Sequence, residues 1–395
     1  MPVRSVRDLD VRGKRVLVRV DFNVPLNANG TVIDDTRLSA SLPTIRLLLE
    51  RGASAVLMSH LGRPKGRPDP SLSLRPVATH LAELLGRNVQ FAADCVGRRT
   101  EELARSLQPG EVLLLENLRF HAEEERNDVE FARRLARLGD LYVNDAFGTA
   151  HRAHASTEAV AHLLPSAAGL LMQRELDVLR SILDRPKRPF AAVIGGSKVS
   201  SKIGVLEHLQ ARLDVLVLGG GMANTFLKAE GYAIGSSLAE NDQVDVARNV
   251  LRQARRRQVK VILPVDVVIA DRFAADAAHK VVDIGETPAG WSILDVGPKS
   301  VEAIGAALRG CATILWNGPL GVFEFPAFAS GTLAVAHRLA QAEGATTVVG
   351  GGESVAAVDQ AGVASKITHV STGGGATLEL LEGKTLPGVA ALEQG

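Results

Sequence analysis

Short β-branched or leucine-rich runs alternate along the chain with longer segments whose apolar residues recur at helical spacing. The runs "RVLVRV", "SAVLMS", "VLLL" and "LYV" predict strands in the first half, and "FAAVI", "VLVL", "VILPV", "TILW" and "TVV" in the second. Between them, Phe131, Leu135 and Leu138 share one helix face, which Asn127 or Asp128 would cap. Leu38, Leu42, Ile45 and Leu49 form a second stripe, interrupted by Pro43. Proline suits the first turn of a helix and not its interior, so this segment predicts two short helices meeting at Pro43. Regular alternation of strand and helix builds a parallel sheet covered on both faces. The expected fold class is therefore α/β, with Rossmann-like doubly wound sheets.

A length of 395 residues predicts two domains, or three. Met172, Leu176, Leu179 and Leu183 space as one stripe of a connecting helix, placed at 171–185, and "DRPKRP" then forces extended chain. That break separates a domain at 1–170 from one at 186–386. The 45 Lys and Arg balance 44 Asp and Glu to a net charge of +1, so no global field draws nucleic acid or an anionic membrane. No run approaches the roughly eighteen apolar residues of a spanning helix, and "MPVRSVRDLDVRGKRVLVRV" has no h-region of a secretory signal. Cys95 and Cys311 stand far apart without a CxxC partner, which excludes a zinc ribbon and fits buried thiols in a reducing cytoplasm.

The two halves differ in the loops that succeed their strands. In the first, strands run into "DFNVP", "SHLGRP", "ENLRFH" and "NDAFGTAHR", which bring Arg63 with His60, Arg119 with His121, and Arg152 with His151. Guanidinium forks bind carboxylate and phosphate bidentately, so this edge suits a small, highly anionic ligand. Asp21 and Asn23 add an acceptor and an amide that could orient a hydroxyl. In the second half, strands run into "IGGSKVSSK", "LGGGMANTF", "WNGPLGVFE", "VGGGES" and "STGGGAT". Ligands of open α/β sheets bind beyond the carboxyl ends of strands, and glycine frees backbone N–H groups for phosphate there.

One glycine cluster alone is as well explained by a tight turn; five in one half are not. No stretch supplies a Walker A motif, and GxGxxG is missed at Gly219–Gly221 and again at Gly350–Gly352. Lys198 and Lys202, one helical turn apart, would by themselves be a solvated face; beside a glycine loop that opens a helix they favour phosphate. His151 and His154 lack a third ligand for zinc, and no nucleophile elbow appears. "EEERND" (Glu123 to Asp128) reads as the solvated start of a helix, and "ARRRQVK" as an exposed helix end before a strand.

Taken together, "RVDFNVPL", "SHLGRPKG", "LLLENLRFHAEEERND", "NDAFGTAHRAHAS", "GGSKVSSKI", "GGGMANTFL", "WNGPLGVFE" and "STGGGATLELLEGKTLPGV" resemble the phosphoglycerate kinase family in order and spacing, over essentially the whole chain. The resemblance implies a two-domain glycolytic kinase that moves a phosphoryl group between 1,3-bisphosphoglycerate and ADP, giving 3-phosphoglycerate and ATP, with Mg²⁺. It implies phosphoglycerate on Asp21, Asn23, His60, Arg63, Arg119 and Arg152, with Arg37 beside the carboxyl group that carries the migrating phosphoryl. It implies Lys198 at the transferred group and Lys202, Gly220, Gly351, Gly352, Glu353 and Ser354 around the nucleotide phosphates. Asn317 lies nearby in that scheme, Glu324 meets the ribose, and Gly374 and Gly375 open a helix facing the transferred phosphoryl. It also returns residues 387–395 to the N-terminal domain, and implies a cytoplasmic monomer whose domains close.

The chain departs from the family at Glu353, where the family usually has an aspartate as Mg²⁺ ligand, and at Ser201, commonly also aspartate. The longer side chain predicts retained activity with altered metal use, Mn²⁺ being the larger ion it could favour. Two competing readings are a kinase for another phosphorylated acid and a phosphate-binding protein that has lost catalysis. Arg119 and Arg152 count against the first, and Arg37, Lys198 and Lys202 against the second.

Overall fold

The computed structural model describes residues 3–393. It divides into two compact units, Met1–Asp177 with Thr385–Gly395, and Val178–Lys384. The helix Leu170–Asp184 begins in the first and ends in the second, with Met172, Leu176, Leu179 and Leu183 buried. Of the tail expected at 387–395, the helix Pro387–Glu393 belongs to the first unit, where the Gly388 amide donates to the Ala150 carbonyl at 2.9 Å. Residues 394–395 of that tail, and 1–2 of the first segment, lie outside the described residues.

The first unit is built on β1 (Arg15–Arg19), β2 (Ser54–Met58), β3 (Val89–Phe91), β4 (Val112–Leu114), β5 (Leu141–Asn144) and β6 (Ser166–Ala168). They form one sheet in the order β3-β4-β2-β1-β5-β6, every pair parallel. Every residue of β2 is buried, as helices on both faces demand, which is why its sequence is a continuous apolar run. β3 and β6 are not legible as strands in the sequence. The first, "VQF", is three partly buried residues broken by Gln90, and the second is "SAA", so neither forms an apolar run.

The helix Thr36–Glu50 corrects the expectation of two helices: it runs unbroken with Pro43 inside. Leu38, Leu42, Ile45, Leu48 and Leu49 form one buried stripe along it, and a single lost backbone bond at Pro43 is not enough to divide that stripe. Ahead of the helix Val129–Ala136, Asp128 is the cap: its Oδ1 accepts from the Phe131 amide at 2.8 Å, while Asn127 takes a positive φ of 55°.

The second unit contains β7 (Phe190–Ile194), β8 (Val215–Leu218), β9 (Lys260–Ile262), β10 (Asp266–Ala270), β11 (His279–Asp283), β12 (Ser292–Val296), β13 (Thr313–Asn317), β14 (Thr346–Gly350) and β15 (His369–Val370). Six of them form a parallel sheet in the order β15-β14-β13-β7-β8-β9. The other three pair antiparallel as β11-β10-β12, a sheet that the apolar runs do not announce. Pro264 is the reason: "VILPV" reads as one strand, yet the first sheet ends at Ile262 and the chain starts a strand of the second at Asp266.

Both parallel sheets reverse their strand order beside the first strand, between β1 and β5 and between β7 and β13. The crevice beyond the carboxyl ends of such a pair is where open α/β sheets bind ligands.

Candidate active site

In the first unit, the loops after β1, β2, β4 and β5 gather cations around His60. The Arg37 guanidinium donates to Asp21 at 2.5 Å. Arg119 is 3% exposed; its Nη1 donates to the Gly62 carbonyl at 2.8 Å, and its Nη2 is buried with no hydrogen-bond partner. Burial brings the Arg119 pKa down to about 10, partly offset by Glu125, so it stays charged at neutral pH. His60 is held well below the usual imidazole range, first by burial and then by the charges of Arg19, Arg119, Arg152 and Arg37. Those causes are themselves a map of what converges on this point. Asn23 sits at its rim, its Oδ1 accepting from the Gly62 amide at 2.8 Å, and Arg63 is exposed beside it.

Arg152 does pair with His151, Nε donating to Nε2 at 3.2 Å, but the pairing of Arg119 with His121 is not made. His121 turns to Asp94, Nε2 to Oδ1 at 2.7 Å, and is absent from the charges acting on His60. Asp94, Cys95 and His121 bring ligand-type atoms within 4.8 Å of one another, but Cys95 is fully buried and burial pushes its thiol well above the ordinary range. "EEERND" is corrected too: Glu124 is fully buried, not solvated, with both carboxylate oxygens accepting from Ser156. Arg19, also fully buried, was missed because it lies inside the strand run "RVLVRV". A charged residue at a position where its neighbours are core was the available signal.

In the second unit, the loops after β7 and β13 approach until only glycine fits. A Cβ on Gly195 would come within 2.2 Å of the Pro319 carbonyl oxygen, and one on Gly318, at φ +95°, within 2.1 Å of that of Gly195. The glycine loop does not open a helix at Lys198 as expected: Gly195–Ser201 stay in loop, and the helix Ile203–Leu209 starts after Lys202 as its cap. Lys198 is exposed, whereas Lys202 is partly buried, and its ammonium donates to Asn317 Oδ1. Asn317 Nδ2 donates in turn to the Gly350 carbonyl at 2.7 Å, so this buried amide ties the loops after β7, β13 and β14 together. Desolvation lowers the Lys202 pKa, while Glu353 and Glu382 oppose the shift.

Glu353 lies exposed in the first turn of the helix Gly352–Gln360, behind Gly351. Ser354 is fully buried, its hydroxyl accepting from the Gly318 amide at 2.6 Å; it props the neighbouring loop. A cavity of about 530 Å³ opens beside these loops, lined by Gly196, Gly220, Leu238, Phe273, Glu324 and Glu353 among others. Gly375 begins the helix Gly375–Leu381 after Gly374. The result is a largely apolar hollow with glycine loops and the carboxyl groups of Asp295, Glu324 and Glu353 in its lining, a shape and chemistry suited to a nucleotide.

The family model for phosphoglycerate kinase matches residues 6–384. The chain belongs to the phosphoglycerate kinase family. It is 59% identical over 390 residues to the phosphoglycerate kinase of Moorella thermoacetica, with 99% of each chain covered. It is 57% identical to the cytosolic phosphoglycerate kinase of Nicotiana tabacum, with 99% and 98% covered. Among solved structures, the phosphoglycerate kinase of Coxiella burnetii matches with a TM-score of 0.91 at 42% identity, covering 100% of this chain and 99% of that one. That of Pyrococcus horikoshii OT3 matches at 0.81 and 33%, covering 99% and 98%. The activity is that of the phosphoglycerate kinase family: reversible phosphoryl transfer from 1,3-bisphosphoglycerate to ADP, giving 3-phosphoglycerate and ATP. Among the described residues, no helix is long and apolar enough to cross a membrane.

Proposed function

We propose that phosphoglycerate is held in the first unit by Asp21, Asn23, Arg37, His60, Arg63, Arg119 and Arg152. The carrying observation is the buried Arg119 guanidinium, charged at neutral pH with Nη2 unpartnered, since an uncompensated buried donor of this kind calls for an anion. Nucleotide is assigned to Lys198, Lys202, Gly220, Asn317, Glu324, Gly351 and Gly352, with Ser354 acting through the loop it props. Asn317 holds the Lys202 ammonium toward the phosphates, and Gly374 and Gly375 offer backbone N–H groups to the transferred phosphoryl.

Both acceptors, a carboxylate and a diphosphate oxygen, are ionised at neutral pH, so no general base is needed. Transfer then rests on positioning and on charges placed where negative charge develops. Arg37, Lys198 and the amides of Gly374 and Gly375 are those charges in this reading. Arg37 is oriented by Asp21, which leaves the rest of its fork for the substrate carboxyl group.

The donor set at Glu353 fits Mg²⁺, which takes one or two carboxylates together with substrate phosphates and keeps several waters. Glu353 would hold Mg²⁺, or Mn²⁺, on the nucleotide phosphates, where the ion supplies charge neutralisation. We further propose domains at 1–170 with 387–395, a connecting helix at 171–185 and a nucleotide domain at 186–386. These domains close to exclude water during transfer, and the chain works as a cytoplasmic monomer that binds neither nucleic acid nor membrane.

The test is ADP formation from ATP and 3-phosphoglycerate with hydroxylamine as acyl-phosphate trap, titrating Mg²⁺ and then Mn²⁺. Arg119→Ala is expected to raise KM for 3-phosphoglycerate and leave that for ATP alone. An unchanged KM would remove Arg119 from the site. Scattering profiles that match with and without both ligands would count against closure.

A further inference from the structure

Behind His60 lies a chain of fully buried polar groups that no ligand reaches. The two oxygens of Glu124 accept from the amide and the hydroxyl of Ser156, at 2.9 and 2.5 Å. The Ser156 hydroxyl, having given its proton to Glu124, accepts from Arg19 Nε at 2.8 Å. Arg19 Nη1 donates to the Val20 carbonyl, and Nη2 stands 3.2 Å from His60 Nδ1. Tyr142 Oη donates to the Ser156 carbonyl at 2.8 Å, and the Glu124 carbonyl accepts from the Ala155 amide at 3.0 Å, which fixes Ser156 from both sides. Glu124, Ser156, Arg19 and Tyr142 are all 0% exposed, and His60 is 4% exposed.

Each link dictates the next. A guanidinium has five donors and no acceptor, so the only bond open to His60 Nδ1 toward Arg19 is as acceptor. His60 is therefore the neutral Nε2–H tautomer, and the nitrogen left for a ligand is a donor. Arg19 Nη1 is anchored on the Val20 carbonyl, and a second acceptor at Nε fixes the plane of the guanidinium. The Ser156 hydroxyl is that acceptor only while its own proton is committed elsewhere, and Glu124 commits it.

We propose that Glu124 is a positioning residue: through Ser156 and Arg19 it locks His60 as an Nε2–H donor aimed at the anionic substrate. The proposal rests on the placement of phosphoglycerate at this site. Glu124 is also the acid on the far side of Arg19, where burial raises its pKa and the Arg19 charge opposes the shift; the other acids of the cluster are Asp21, whose Oδ1 is 3.9 Å from His60 Nδ1, and Glu125, 3.3 Å from Arg119 Nε. Removing one partner of such a buried set leaves the rest of it uncompensated.

The first measurement needs no variant. In protein labelled with ¹⁵N-histidine, with His60 assigned by its loss in His60→Gln, the ring is expected to show the Nε2–H pattern throughout the neutral range. An Nδ1–H ring, or one that protonates near neutrality, overturns the proposal. Glu124→Gln offers the Ser156 hydroxyl a donor where it needs an acceptor, and Ser156→Ala removes the link while keeping Glu124. Either is expected to let the Nδ1–H tautomer appear and to raise KM for 3-phosphoglycerate roughly tenfold, the scale of one charge-assisted hydrogen bond. KM for ATP should not move. If Glu124→Gln fails to fold, Ser156→Ala and the parent spectrum decide. Should His60→Gln itself leave KM for 3-phosphoglycerate unchanged, the placement of the substrate is what fails. Should it raise KM while both folded variants keep the parental KM and tautomer, only the role of Glu124 fails.

Discussion

Asp145 follows β5 and holds the start of the helix that runs from one unit into the other. Its Oδ1 accepts from the amides of Leu171 and Met172 at 2.9 and 3.3 Å, and its Oδ2 is buried, with the Thr44 hydroxyl also acting on the carboxyl group. Burial pushes its pKa from 3.8 up to about 7, against the Thr44 hydroxyl and those two amides. An acid raised in the folded state binds its proton more tightly there than in the unfolded chain. Its contribution to stability is thus fully present below about pH 4 and is lost as pH rises through about 7. The shift from 3.8 to about 7 corresponds to roughly 4 kcal/mol. Asp145→Asn keeps the acceptor that caps the helix and sets an amide where the protonated hydroxyl stood. The variant is expected to match the parent near pH 4 and to be more stable by roughly 2–4 kcal/mol near pH 9. Urea unfolding of both proteins across this range gives the difference profile, in which other titrating groups cancel. Because two units need not unfold together, exchange of the Leu171 and Met172 amides provides the local readout. A difference profile that stays flat, or one in which the variant loses stability as pH rises, refutes the argument.

Asp295 has the same raised pKa of about 7 from burial, but its Oδ1 accepts from the Val296 amide and its Oδ2 from the Gly331 amide. Asp295→Asn must turn a donor toward one of them, so below about pH 7 it is expected to cost about 1–3 kcal/mol, read from thermal unfolding. Glu353→Asp shortens the carboxylate by one methylene; turnover is expected to persist with a shifted Mg²⁺ optimum and a changed preference for Mn²⁺, and EDTA should abolish it in both proteins. An unchanged metal curve would make Glu353 a neutral choice. Asn317→Ala frees Lys202 and strips the Gly350 carbonyl of its donor. KM for ATP should rise roughly tenfold, with that for 3-phosphoglycerate unmoved, in steady-state kinetics.

The α/β class and its apolar runs were legible because a parallel strand buried on both faces writes itself as a continuous hydrophobic word. The loops were legible because glycine and arginine after such a word have few other uses. What escaped was set by partners distant in sequence. Pro43 looked like a boundary locally, but a stripe from Leu38 to Leu49 carried the helix through it. Lys198 and Lys202 had helical spacing, yet Lys202 is drawn to Asn317, 115 positions away, and the helix begins only beyond it. Glu124 sat in a run of three acids that looks solvated, and only its meeting with Ser156 distinguishes it from its neighbours.

In the proposed sites the two units hold anions by different physics, and this difference has consequences. The first includes the buried guanidinium groups of Arg19 and Arg119, whose charge must be balanced internally when no substrate is present; Glu124 behind Arg19 and Glu125 on Arg119 supply that balance. The second relies on loop amides freed by glycine and on lysines such as the exposed Lys198, which water can solvate without a carboxylate partner. Exposed charges are screened at a Debye length of about 8 Å at physiological ionic strength, whereas buried ones are screened far less. Binding of 3-phosphoglycerate should therefore hold up better than binding of nucleotide as salt is raised. The first site is also the more vulnerable to mutation of residues that touch no ligand, because there the charge balance is part of the fold.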